Sequence, residues 1–95
     1  MHCKKVLFSR HAITRMFERS LDKDVVLEAI EHGEIIATYP DEQPYPCSLL
    51  LWFCDARAVH VVVARDSSDS SCYVVTAYFP SPELWSTDFK TRRTP

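Results

Sequence analysis

Residues 47–79 decide the fold, and they read CSLLLWFCDARAVHVVVARDSSDSSCYVVTAYF. Three runs rich in β-branched and aromatic residues, Cys47–Cys54, Ala58–Arg65 and Cys72–Phe79, are separated only by residues 55–57 and 66–71. Asp and Ser in such short links are typical of hairpin turns built without glycine. Because short links force neighbouring strands to run antiparallel, this stretch predicts three consecutive antiparallel strands.

Ahead of these strands, the apolar residues recur at helical spacing. Arg10–Arg19 places Ala12, Ile13, Met16 and Phe17 on one face, and Ser9 before it is a good N-cap. A second amphipathic helix begins after Asp22 and ends at Gly33, where we expect a residue that tolerates positive φ. The pattern therefore predicts two N-terminal helices.

The remaining segments complete the predicted architecture. Glu34–Tyr39 is expected to form a fourth strand, and Lys4–Ser9 can form a short strand before the first helix. Ser81-Pro82-Glu83 combines a cap, a proline at the first helical position and an early acid, which predicts a short C-terminal helix. We therefore expect one α+β domain over residues 1–95, with two helices packed on a four-stranded antiparallel sheet and a C-terminal helix.

Composition excludes several classes of protein. The chain is 46% apolar and 12% aromatic, which disfavours disorder, and its single glycine excludes a P-loop and a Rossmann fingerprint. The longest apolar run, residues 49–54, is too short to span a bilayer, and no signal peptide is recognisable at the start, so we expect a cytoplasmic protein without membrane association. The four cysteines lack Cys-x-x-Cys spacing, so we expect free thiols and neither a metal nor a cofactor.

The net charge of −2 conceals a charge asymmetry. Residues 1–20 carry +4 and residues 90–95 carry +3, whereas residues 21–46 carry −6. If the two chain ends meet, they form a basic patch on an acidic protein. The alternative is that the bases pair with the acidic middle, and the charge pattern alone does not separate the two.

His11 and Arg15 are the first candidate catalytic residues. Their four-residue spacing puts them on one helix face, opposite the apolar stripe. An imidazole moves protons near neutral pH and a guanidinium holds a phosphate, so the pair suits phosphodiester chemistry. The alternative is an ordinary solvated face on which Arg15 pairs with Glu18.

His60 is the third candidate, because a titratable group inside the run AVHVVVA needs a partner. Hairpin register brings Thr76 and Tyr78 near it on the neighbouring strand. It is interpreted either as a proton-transfer residue or as a core histidine bonded to Tyr or Thr.

Four basic residues are candidates for substrate binding alongside Tyr78. Arg19 continues the polar face of the first helix, as an anion contact or as a salt bridge. The three others lie at the C-terminal end and are either phosphate contacts or a solvated tail: Lys90, Arg92 and Arg93.

A set of short motifs resembles the family catalogued as domain of unknown function 4258, over about residues 7–93. The residues that carry the resemblance are Ser9-Arg-His-Ala12, Arg15, Glu18-Arg19, Asp24-Val25, Gly33-Glu-Ile-Ile36, Tyr39-Pro40-Asp41, His60-Val-Val62, Thr76-Ala-Tyr78, Pro80 and Trp85. Members of this family are small prokaryotic proteins whose activity is not established.

The order of elements is also similar to the RelE/BrnT-like toxin fold, whose members cleave messenger RNA without a metal. This analogy implies an endoribonuclease, in which His11 and His60 exchange protons with the RNA and Arg15 and Arg19 stabilise the phosphorane. It also implies an antitoxin-like protein partner. Ribonuclease toxins of this fold tend to be basic, whereas this chain has a sequence pI of about 6.0. Arg57 and Arg65 are the only basic residues on its last three predicted strands. The alternative is a non-catalytic protein-binding module of the same fold.

Overall fold

The computed structural model describes residues 1–94 and contains two helices and five strands. In chain order the elements are β1 (Lys5–Phe8), α1 (Arg10–Glu18), α2 (Lys23–His32), β2 (Glu34–Tyr39), β3 (Cys47–Cys54), β4 (Arg57–Asp66) and β5 (Ser71–Tyr78). The strands form one sheet in the order β1-β5-β4-β3-β2. The fold is α+β, but the predicted four-stranded antiparallel sheet with a C-terminal helix is wrong. The sheet has five strands and is mixed.

The two hairpins that join β3, β4 and β5 confirm the reading of residues 47–79. β3 pairs with β4 from Cys47↔Ala64 to Cys54↔Arg57, and β4 pairs with β5 so that His60 lies opposite Tyr78. Asp55 and Ala56 adopt positive φ in the first turn. In the second turn the Asp66 carboxylate accepts from the Ser68 backbone N–H. Both hairpins therefore turn without glycine, the first with Asp55 and Ala56 at positive φ and the second with a polar side chain bonded to the backbone.

β1 makes the sheet mixed, because it pairs parallel with β5 from Lys5↔Ser71 to Phe8↔Val74. The same pairing continues to Lys4, whose N–H donates to the Ser70 carbonyl. It brings Cys3 next to Cys72, and the two form a disulfide with a Cα–Cα distance of 5.6 Å. The expectation of four free thiols is wrong for this pair, whereas Cys47 and Cys54 are free.

The helix ends follow the predicted pattern with one difference. The Ser9 hydroxyl accepts from the Ala12 N–H at 3.0 Å and caps α1 as expected. Gly33 ends α2, but its φ is −68°, so the expected positive φ is wrong. A Cβ at Gly33 would lie 2.3 Å from the Ala29 carbonyl oxygen and 2.9 Å from that of Leu51. Glycine is needed here because α2 passes very close to β3 as it ends.

The sheet has two differently covered faces. One face packs on the helices and forms the core, with Leu50, Val59, Val61, Val63 and Val74 against Ala12, Met16, Val26, Ala29 and Ile30. Because side chains alternate along a strand, His60, Val62 and their neighbours on β3 and β5 point to the other face. Residues 80–94 cross that second face.

Residues 80–94 form turns where a C-terminal helix was predicted. A single turn closes on the Ser81 carbonyl, and the chain then reverses, with Phe89 at positive φ and Trp85 bridged to Arg92. The cap signals in this segment are overridden because the reversal brings Trp85 and Phe89 onto His60. Among residues 1–94, no helix is long and apolar enough to cross a membrane.

Candidate functional site

His60 lies at the centre of the second face and is fully buried. Its Nε2 is 2.8 Å from the Phe89 carbonyl oxygen, and its Nδ1 is 3.3 Å from the Tyr78 hydroxyl. Because a carbonyl only accepts, Nε2–H donates to Phe89, and Nδ1 accepts from the Tyr78 hydroxyl. The ring of Trp85 meets the imidazole edge-to-face at 4.4 Å. The sequence-based placement of Tyr78 beside His60 is confirmed.

This environment favours the neutral form of His60. Burial lowers the pKa of the imidazole below its ordinary value, because the charged form loses its hydration. The hydrogen bond to the Phe89 carbonyl opposes that effect without reversing it. At neutral pH the ring is therefore uncharged, with one nitrogen free of a proton and directed at Tyr78.

Tyr78 connects this buried histidine to an open cavity, which we call the sheet groove. The groove has a volume of about 380 Å³, and the residues on it that matter for chemistry are Tyr39, Tyr78, Trp85, Lys90 and Arg92. Burial raises the pKa of the Tyr78 phenol, the nearby Tyr39 raises it further, and Arg92 and Arg19 act in the opposite direction. Two guanidinium groups thus lie close enough to Tyr78 to act on its charge.

Arg19 reaches this end of the sheet from the C-terminus of α1. β1 covers β5 only as far as Val74, so the backbone beyond it has no partner strand on that side among residues 1–94. Arg19 occupies the position: its Nη1 donates to the Ala77 carbonyl at 2.8 Å and to the Thr76 hydroxyl at 3.4 Å. The remaining N–H groups of its guanidinium are available to another acceptor.

The three basic residues of the C-terminal segment have different surroundings. Lys90 and Arg92 line the sheet groove, and the Lys90 ammonium forms an exposed ion pair with Glu34 at 3.1 Å. Arg93 instead binds its own segment, since its Nε donates to the carbonyls of Pro82 and Trp85. The structure therefore brings five of the predicted residues together: His60 bonded to Tyr78, Lys90 and Arg92 in the groove lining, and Arg19 close enough to act on Tyr78.

His11 and Arg15 lie apart from that cluster. His11 is exposed in the first turn of α1 and lines a separate apolar cavity of about 500 Å³ with Tyr45, Tyr73 and Val75. Arg15 contacts Glu18 at 3.8 Å, and both side chains are about half exposed. This is the contact expected of a solvated helix face, and neither residue lines the sheet groove.

Sequence reasoning missed three parts of the site. The sequence analysis assigns no site role to Tyr39, to the Phe89 carbonyl or to the Trp85 ring. The position of Tyr39 follows from register, because β2 lies next to β3 and Ala37 pairs with Leu49 opposite Val62. The contacts of Phe89 and Trp85 carry no comparable signal, because they depend on a chain reversal at residues 86–91.

The described residues offer proton-transfer groups and cations but no metal-ligand cluster. Among residues 1–94, no group of three or more His, Cys, Asp or Glu is placed to hold a metal ion. The groups that meet at the sheet groove are a phenol bonded to a neutral imidazole, the Lys90 ammonium and the Arg92 guanidinium, and the Arg19 guanidinium lies outside the lining but acts on the same phenol. Such a set can bind an oxyanion and accept a proton beside it.

Comparison with known proteins gives one result. No curated protein and no solved structure matches this chain. Residues 8–79 match the family described as domain of unknown function (DUF4258). The matched range contains both helices, Tyr78 and every strand except the first three residues of β1. The match covers well over half of the sequence, and the chain belongs to the DUF4258 family.

Proposed function

We propose that this protein binds the phosphodiester backbone of RNA in the sheet groove and cleaves it without using a metal ion. One observation carries the proposal: Tyr78, whose hydroxyl is bonded to the neutral His60, lines a groove that Lys90 and Arg92 also line. The arrangement combines a proton acceptor, positive charge for the phosphate and, in the Lys90 ammonium, a proton donor for the leaving oxygen, all of which assist RNA transesterification.

The phosphate of the substrate is held by the cations. Arg92 supplies forked N–H donors and Lys90 adds a point charge from the lining of the groove, and Arg19, which lies outside that lining, acts on the charge of Tyr78. The pair between Lys90 and Glu34 does not compete strongly, because an exposed ion pair contributes at most about 1 kcal/mol. These charges favour the transition state more than the bound RNA, since negative charge builds up on the phosphorane oxygens.

The proton of the ribose 2′-hydroxyl is taken up by Tyr78 and His60 acting together. The Tyr78 oxygen accepts that proton while the phenol passes its own proton to Nδ1 of His60. The resulting imidazolium is buried, but its Nε2–H is already bonded to the Phe89 carbonyl, which stabilises the charge. Tyr78 is thus the group that touches RNA, and His60 is the base behind it.

The bonds and protons balance as follows. The 2′-oxygen attacks the adjacent phosphorus, and the bond from phosphorus to the 5′-oxygen breaks. The departing 5′-oxygen takes a proton from the Lys90 ammonium. The products are a 2′,3′-cyclic phosphate and a 5′-hydroxyl, and His60 and Lys90 return to their starting protonation states by exchange with water.

The test is cleavage of end-labelled RNA by the purified protein in EDTA, with both product ends mapped. Tyr78→Phe is expected to lower the rate about 10²- to 10⁴-fold, and Arg92→Ala about 10²- to 10³-fold. Lys4→Ala is the matched control, because Lys4 is an exposed base at the opposite end of β5. Unchanged cleavage by Tyr78→Phe would exclude this mechanism, and loss of cleavage in His11→Ala would restore His11 as the catalytic residue.

A second candidate function is a non-catalytic protein-binding module, such as one held by an antitoxin-like partner. The observation that favours it is the complete burial of His60 with both ring nitrogens already bonded. In that case the histidine fastens residues 80–94 to the sheet, and no RNA is cleaved. Protein that binds labelled RNA with a salt-dependent affinity but leaves it intact in every buffer would favour binding over cleavage.

A further inference from the structure

We infer that the cavity beside Tyr45 and Tyr73 binds a base of single-stranded RNA, next to the phosphate that the sheet groove holds. This surface, which we call the tyrosine cavity, is the cavity of about 500 Å³ that His11, Ala64 and Val75 also line. The inference rests on the proposed function, because the base and the phosphate belong to one RNA strand. It deepens that proposal by assigning a separate site to the base.

The tyrosine cavity adjoins the sheet groove on the second face of the sheet and extends over the edge of β5 to the start of α1. Val62 lines the groove and Ala64 lines the cavity, and the two lie two positions apart on β4, or about 7 Å. On β5, Tyr73 pairs with Ala64, and Tyr78 of the groove lies further along the same strand. An RNA strand that crosses this face therefore meets both cavities within a few nucleotides.

A bulge in β5 turns Tyr73 to this face. Tyr73 and Tyr78 are five positions apart, so in a regular strand their side chains would point to opposite faces. The pairing shifts between Val62 and Val63, and Val75 is the extra residue, without a register partner in the described strand β4. Tyr73 consequently lies on the same face as Tyr78. Bulges are common beside active sites, where they redirect a side chain, and here the redirected ring lines a cavity.

The two tyrosine rings form a flat aromatic surface. Tyr45 and Tyr73 stack with their centroids 5.6 Å apart and their planes within 10° of parallel. Every base has a flat π face that can continue such a stack, whatever the sequence of the RNA. His11 is exposed at the rim, where its ring nitrogens can form a hydrogen bond with the edge of a base. The cavity is therefore suited to a flat ring with polar edges.

The charges at the two ends of this surface select a nucleotide among flat ligands. The charge of Asp66 is the main cause that raises the pKa of the Tyr45 phenol, and Asp69 acts in the same direction, so carboxylates lie close to the stack. They would repel a phosphate at this end. Lys90 and Arg92 line the adjacent groove and attract one there. An uncharged ring at the acidic end and an anion at the basic end is the charge distribution of a nucleotide.

The experiment measures binding of a probe that the protein cannot cleave. The probe is a fluorescein-labelled single-stranded 2′-deoxy tetranucleotide, which lacks the attacking 2′-hydroxyl. In four further probes an abasic sugar replaces one nucleoside at a time, with every phosphate kept. Affinities are measured by fluorescence anisotropy for the wild type, Tyr73→Leu, Tyr73→Phe and Arg92→Ala. Phe17→Leu is the matched control, because Phe17 is an exposed aromatic residue that lines the cavity between β1, α1 and α2.

We expect one abasic position to weaken binding to the wild type about 5- to 150-fold, because the stacked base is lost. Tyr73→Leu should show no penalty at that position, whereas Tyr73→Phe, which keeps the ring, and Phe17→Leu should behave like the wild type. Arg92→Ala should weaken all five probes by a similar factor, because the groove binds phosphate. In NMR spectra of the wild type, the complete probe should shift the backbone amides of Ala64 and Val75, a result that needs no variant to fold.

Three outcomes would overturn the inference. Equal affinity losses at every abasic position, or the same penalty in Tyr73→Leu as in the wild type, would remove the base site while leaving phosphate binding intact if Arg92→Ala still weakens binding. No saturable binding of the complete probe up to about 1 mM would overturn the proposed function as well. A wild-type dimer in sedimentation that dissociates in Tyr73→Leu would assign the tyrosine cavity to a second copy of the chain.

Discussion

Acidification should destabilise this protein through His60, and the structure gives the direction of the effect. The folded chain keeps the imidazole neutral, because burial lowers its pKa and Nδ1 is already an acceptor for the Tyr78 hydroxyl. In the unfolded chain the same group titrates near its ordinary value of about 6.5. Below that pH the unfolded state binds one more proton than the folded state does.

The sign and magnitude follow from proton linkage. The contribution of His60 to the free energy of unfolding is complete above about pH 6.5 and falls as the pH decreases from there towards the folded-state pKa. While only the unfolded chain is protonated, the loss approaches about 1.4 kcal/mol per pH unit. One pH unit therefore removes a noticeable part of the total stability of a domain of this size.

Urea unfolding at a series of pH values measures this dependence, with His60→Gln as the comparison. Glutamine keeps hydrogen-bonding groups at the position but does not titrate, so its stability curve should lack the fall below pH 6.5. The comparison depends on the shape of the two curves and is unaffected if His60→Gln is less stable throughout. His11→Ala, which removes an exposed histidine, should follow the wild-type curve. Parallel curves for wild type and His60→Gln, or NMR titration of His60 at or above 6.5, would refute the reasoning.

Three further changes test other parts of the fold by urea unfolding. Gly33→Ala should lower the free energy of unfolding by about 1–3 kcal/mol, because the new methyl group overlaps the Ala29 carbonyl of α2 and the Leu51 carbonyl of β3. Wild-type stability would mean that the backbone does not crowd position 33 this closely. Replacing Cys3 and Cys72 together by serine should lower the free energy of unfolding by about 4 kcal/mol, because their disulfide closes a separation of 69 residues. Equal stability of this variant and the wild type under oxidising conditions would show that the bond does not form. Ser9→Ala should lower the free energy of unfolding by about 1 kcal/mol, because α1 loses its N-cap hydrogen bond. Ser9→Asp should leave the free energy of unfolding nearly unchanged, because aspartate is also a good N-cap.

The parts of the fold that the sequence predicts correctly are those encoded by neighbouring residues. The helices show 3.6-residue periodicity with a capping serine, and β3, β4 and β5 follow one another through short polar turns. The hairpin between β4 and β5 likewise predicts that Tyr78 lies near His60, because a short turn fixes the register of the two strands that it joins.

The errors all involve contacts between distant residues. β1 is only four residues long and pairs with a strand more than sixty positions away, so neither its direction nor the Cys3–Cys72 bond is visible locally. Residues 81–83 carry valid helix signals, but the Trp85 ring packs on the buried His60 and the chain reverses to bring it there. Tertiary packing thus decided between two locally acceptable conformations.

The candidate site shows the same division. Sequence reasoning selected Arg19, Lys90 and Arg92 because they are basic, and the fold brings them to Tyr78 from opposite ends of the chain. It also paired His11 with His60, although α1 holds His11 beside a different cavity. Residue type predicted which groups are suited to binding phosphate, whereas their division between two cavities depends on the tertiary fold.

The acidic net charge does not argue against an anionic substrate, because this fold separates its charges in space. Five exposed acids lie on α2 and in the loop after β2, namely Asp24, Glu28, Glu31, Asp41 and Glu42, and none of them lines the sheet groove. The groove itself is bordered by Lys90 and Arg92, with Arg19 acting on the same tyrosine. Because salt screens charges beyond about 8–10 Å, a bound phosphate responds mainly to these nearby cations and only weakly to the total of −2. The affinity for RNA should therefore fall steeply with added salt in the wild type, and less steeply in Arg92→Ala, although the whole molecule repels polyanions at long range.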